Sequence, residues 1–179
     1  MVLLRAHDKG ADYLALADAT LLLDTVDGRK VVSDRRVNQL AAKEREAANR
    51  VPTGSALKLR RRVQLTRHCG GHAAGRGLLG RCRRSPGRSQ AVTGSLPGKS
   101  LHRAVLLSGG ASRLVDPFGL ATWEELLALL DESGPEELVH QVRAAEAVDP
   151  EGRQWPRTKR SNDATAVYLV VHHATGVQS

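Results

Sequence analysis

Between Glu46 and Asp116 the chain has no acidic residue, and that interval holds fourteen Lys or Arg. Residues 51–100 alone carry eleven basic residues, nine glycines and both cysteines, Cys69 and Cys82. The rest of the chain sums to 16 basic and 19 acidic residues, so the net charge of +8 belongs to one segment. A stretch this rich in Gly and Arg, and this poor in core formers, cannot bury enough apolar surface to offset its chain entropy. Residues 51–90 are therefore expected to be disordered. A core must come from two separated pieces, residues 1–50 and 91–171, with 172–179 as a tail. At 179 residues one domain is expected. With few aromatics, its core must be mostly aliphatic.

The first piece reads as short antiparallel strands. Val2–His7 runs into a polar turn at Asp8, Lys9 and Gly10. Tyr13–Ala17 and Thr20–Asp24 flank Asp18, and Asp27-Gly28 is a turn signal before Lys30–Ser33. Residues 38–50 have strong helix propensity and a charged, solvated face.

The second piece opens with a buried strand at Ala104–Ser108, a small-residue turn at Gly109 and Gly110, and the start of a helix. Thr122 and Glu125 form a capping box ahead of a helix over 123–131. Gly134-Pro135 begins another over 135–147, with Glu136 and Glu137 in its first turn. A basic loop follows, and Ser161, Asn162 and Asp163 introduce a last strand over 164–171.

Several function classes are excluded or weakened. No apolar run approaches the ~20 residues of a membrane helix, so no membrane partner is expected. The first residues lack the layout of a secretory signal, two cysteines make no disulfide framework, and a cytoplasmic location is expected. His68, Cys69, His72 and Cys82 are zinc-ligand types, but their spacing fits no finger or ribbon and is read as accidental. Arg60–Arg62 and Arg81–Arg84 can neutralise phosphates. Without interleaved aromatics they support only weak, non-specific nucleic-acid association. His172 and His173 read as a solvated tail. Ser108 is not in a nucleophile elbow, which places Ser between glycines.

With the strand–turn at 104–118 and the strand at 164–171 in place, the chain resembles the type 2C, metal-dependent Ser/Thr protein phosphatases. The likeness is greatest to their actinobacterial branch, and it covers residues 2–50 and 91–171. It implies an α+β fold, a partial four-layer α-β-β-α sandwich of antiparallel sheets. It also implies a binuclear Mg²⁺ or Mn²⁺ centre at one edge, and a phosphoprotein substrate. Ala17-Asp18-Ala19 stands where the family has Gly-Asp-Ser, which keeps the acid at Asp18. Ser108-Gly109-Gly110 stands where the family has an Asp-Gly pair, and Gly109 replaces the ligating Asp. Asn162-Asp163-Ala164-Thr165 matches a motif whose ligating Asp falls on Asn162. The family's earlier Asp-Gly pair has no counterpart, so the resemblance implies a truncated and degenerate member. Residues 51–90 match nothing in the family. Their mixture of Arg, Gly, Pro and Cys is what a shifted reading of GC-rich coding sequence gives, with the family frame resuming by residues 91–94.

Two-metal hydrolysis requires several carboxylates to hold two cations roughly 3.5–4 Å apart and balance their charge. Glycine supplies no ligand, and asparagine supplies one neutral oxygen. The metal candidates that remain are Asp18 and Asp163, enough for a weakly held hydrated ion but not for a binuclear centre. Hydrolysis is expected to be slight or absent. A partner-binding pseudophosphatase is the first alternative, and association with nucleic acid through residues 58–88 the second. Exposed sheet edges are expected to favour self-association.

Overall fold

The computed structural model describes residues 1–34, 51, 55, 57, 60, 91–97, 99–157 and 159–172. The expected helix over 38–50 lies outside the described residues. So do most of the basic segment, with His68, Cys69, His72 and Cys82, and the tail from His173 onward.

Among the described residues, seven strands form two antiparallel sheets. β1 (Val2–His7), β2 (Gly10–Ala15) and β5 (Val92–Pro97) make the smaller sheet, in the order β1-β2-β5. β3 (Thr20–Thr25), β4 (Gly28–Ser33), β6 (Leu101–Leu107) and β7 (Ala166–Val170) make the larger, in the order β4-β3-β6-β7. The N-terminal strands thus do not share one sheet. The chain crosses between sheets at Ala17–Ala19, where Ala17 takes a φ of 63°. β1 pairs with β2 and β2 with β5, and neither pairs with β6.

Alternation along β3 and β6 explains the layers. Leu21, Leu23 and Ala104 point towards the smaller sheet and pack with Ala11, Tyr13 and Ala15. Leu22, Val105 and Leu107 point the other way, onto Leu126, Leu130 and Val142 of the helix. The period of two thus feeds two cores from the same strands. The described residues form a mixed α+β arrangement of three layers: sheet, sheet, helix.

The helix, α1 (Trp123–Val148), starts at the expected capping box. Thr122 accepts from the Glu125 amide at 3.2 Å, and Glu125 accepts from the Thr122 amide at 2.7 Å. The two helices expected over 123–131 and 135–147 meet end to end, and the chain kinks at Gly134, whose φ is 75°. Charged groups tie α1 to the sheet. Arg103 donates to Asp24 at 2.8 and 2.6 Å and also pairs with Asp131 of α1. Arg29 of β4 pairs with Glu124 at 2.6 Å.

β5 was not expected from the sequence. Only Val92 and Leu96 supply apolar residues at alternate positions, with Gly94 between them. Gly94 makes room for Tyr13, which lies across it: a Cβ at residue 94 would collide with the Tyr13 hydroxyl and ring. Among the described residues no helix is long and apolar enough to cross a membrane.

Candidate functional site

Four separate stretches converge at one end of the sandwich. The crossing loop brings Asp18, the end of β6 brings Ser108 and Gly109, the approach to β7 brings Asn162 and Asp163, and the chain start brings Met1 and Val2. Together they line an open cavity of about 390 Å³, with Leu106 and Val167 as part of its apolar wall. Asp18, Gly109, Asn162 and Asp163, the positions singled out by sequence, all border it.

Each position has a local cause. Asp18 sits in the turn that Ala17 opens with its left-handed backbone; the Ala17 amide donates to buried Asp34 at 3.4 Å. Ser108 fastens β6 to the chain entering β7. Its hydroxyl donates to the Asp163 carbonyl and accepts from the Thr165 amide, both at 2.9 Å, and its own amide donates to the Thr165 carbonyl at 3.0 Å. This role of Ser108 was not read from the sequence, where a Ser before two glycines carries no distinguishing signal.

Buried ion pairs hold the loop that delivers Asn162 and Asp163. Glu146, at the end of α1 and only 2% exposed, pairs with Arg113 at 2.5 Å and Arg143 at 2.6 Å. Burial raises the Glu146 pKa, but hydrogen bonds from Arg143, Ser161 and Arg113 outweigh it and hold the carboxyl below its ordinary value. Ser161 adjoins Asn162, so this charge cluster reaches the site loop directly. Asp149 accepts from the Arg153 amide at 2.7 Å, the Trp155 amide at 3.0 Å and Arg157 at 2.8 Å. Burial pushes its pKa up; these hydrogen bonds prevail and bring it down to about 2.

The donor set does not fit a binuclear metal centre. Among the described residues no group of three or more His, Cys, Asp or Glu side chains stands together to hold a metal ion. Gly109 contributes no side chain, and a Cβ there would stand 2.8 Å from Asp18 Cγ. The Asp18 carboxylate thus occupies the room that a residue-109 side chain would need. Asn162 Oδ1 is 3.5 Å from Lys159 Nζ, a cation beside a would-be ligand. The arrangement offers two exposed carboxylates on a partly apolar wall, without the charge that two-metal hydrolysis requires. No family model, curated protein or solved structure matches this chain.

Proposed function

We propose that the chain is a degenerate relative of the type 2C Ser/Thr phosphatases, one that keeps the framework around the site without its hydrolytic chemistry. On this reading it acts as a pseudophosphatase, a partner-binding module. One observation carries the proposal. The positions that the resemblance maps to the metal site, Asp18, Gly109 and Asn162, are up to 144 residues apart in sequence yet border one cavity at the sandwich edge. The sheet–sheet–helix layering agrees with three of the four layers such a domain would have.

Two departures favour binding over catalysis. Position 109 carries a glycine and position 162 an asparagine where the resemblance calls for carboxylates. The purified chain is expected not to hydrolyse p-nitrophenyl phosphate in millimolar Mn²⁺. The double change Gly109→Asp and Asn162→Asp should not restore turnover. Mn²⁺-dependent hydrolysis above a no-protein blank by the unaltered chain would refute the inactive reading.

A further inference from the structure

The larger sheet ends at β7, whose outer edge pairs with no strand among the described residues. The Ser108 amide donates to the Thr165 carbonyl and the Val171 amide to the His102 carbonyl. Strand alternation then turns the N–H and C=O groups of Ala166, Tyr168 and Val170 towards the open side. Val167 is 43%, Leu169 40% and Val170 49% exposed. Val167 and Leu169 lie on the face turned to the smaller sheet, where Val2, Leu4, Leu106 and Val171 pack against the core. The apolar interior therefore runs out to the surface at this edge.

The other edges carry the usual protection against strand addition. β4 presents Arg29 and Lys30, β1 presents Arg5 and His7, and β5 ends in Pro97. A copy approaching β4 or β1 would set like charges against each other. From Ala164 to Val171 there is no charge, no Pro and no Gly, so β7 meets its own copy without repulsion and, unlike β5, without a Gly or Pro to interrupt the pairing. Its composition has the high β-propensity and low charge of self-pairing segments.

We infer that β7 is the interface between two copies of this chain, paired antiparallel about a two-fold axis at Tyr168. That register joins the open backbone groups of Ala166, Tyr168 and Val170 to those of Val170, Tyr168 and Ala166 in the copy. It sets Val167 opposite the copy's Leu169, and the two four-stranded sheets become one continuous sheet. Such a contact is isologous and closes on itself, giving a dimer and not a filament.

Sedimentation velocity on the full chain, over a broad concentration series, should find a species of twice 19.3 kDa that dissociates on dilution. Val170→Lys should abolish it. Leu120→Lys, a control at a similarly exposed apolar residue away from the edge, should leave it intact. Amide-resolved hydrogen exchange on the unaltered chain needs no variant to fold: protection at Ala166, Tyr168 and Val170 should rise with protein concentration. A monomer throughout the series, equal behaviour of the two variants, a dimer that survives Val170→Lys, or protection at those amides independent of concentration would each overturn the assignment. The last of these would give the edge to another part of the same chain.

Discussion

The backbone of Gly110 lies against the backbone of Asp163, so closely that a Cβ at residue 110 would stand 2.8 Å from the Asp163 carbonyl carbon. The neighbouring Gly109 faces the exposed Asp18 side chain, whose carboxylate can rotate away and whose Cβ, 3.1 Å from the added carbon, needs to give only by a few tenths of an ångström. Gly110→Ala should therefore cost about 1–3 kcal/mol, as overpacking against fixed backbone does. Gly109→Ala should cost less than about 1 kcal/mol, for a shifted Asp18 rotamer. Urea unfolding of both variants at one matched protein concentration tests the contrast; equal losses would contradict it.

Replacing Ala17 by Gly should stabilise the fold. An L-residue in the left-handed region costs roughly 1–2 kcal/mol, and Gly returns about 0.5–1 of this as added entropy of the unfolded chain. A net gain of about 0.5–1 kcal/mol is expected at a φ of 63°. Thermal unfolding that shows Ala17→Gly less stable than the parent would argue against strain at the crossing.

Ser108→Ala removes the hydroxyl that both donates to Asp163 and accepts from Thr165. A loss of about 0.5–1.5 kcal/mol is expected, because both hydrogen bonds are exposed and water can take the hydroxyl's place at each backbone group. The Thr165 amide should exchange faster than in the parent, beyond any global change. Unaltered exchange there would mean that Ser108 does not hold the two strands together.

Acid should weaken the fold through Asp149. Its folded pKa is about 2 against an ordinary 3.8, so its contribution is fully present above the unfolded value and fades as pH falls from there towards the folded one. That contribution is on the order of 2 kcal/mol. Glu146, also held below its ordinary value, acts in the same direction. Asp149→Asn should be less stable near neutrality and should lose less on acidification. A parent and variant with parallel stability–pH curves between about pH 6 and pH 2 would contradict the assignment.

The parts of the fold legible in the sequence are those with local signals. Short apolar runs set off by turn signals announced β1 to β4 and β6, and Thr122 with Glu125 announced the start of α1. The final strand, expected over 164–171, is Ala166–Val170. β5 escaped because Thr93, Ser95 and Pro97 face outward and Gly94 makes room for Tyr13, so its reason for being a strand lies in another strand. The split into two sheets was hidden for a similar cause: nothing in Ala17-Asp18-Ala19 says that the chain changes layer there. In the site, residue identities were readable at Asp18, Gly109, Asn162 and Asp163. The crowding of Asp18 against position 109 and the fastening by Ser108 exist only once distant backbones meet.

Both sheets are sewn across the same gap. β5 closes onto β2 and β6 onto β3, each joining a strand before Asp34 to one after Ala91. Neither sheet can be finished during synthesis until the chain has grown past the basic stretch, so folding waits on a long-range closure. The penalty for that closure rises only with the logarithm of the connection's length, about 0.6 kcal/mol per doubling. By that term alone, halving the length of the connection would shift the sandwich's stability by about 0.6 kcal/mol.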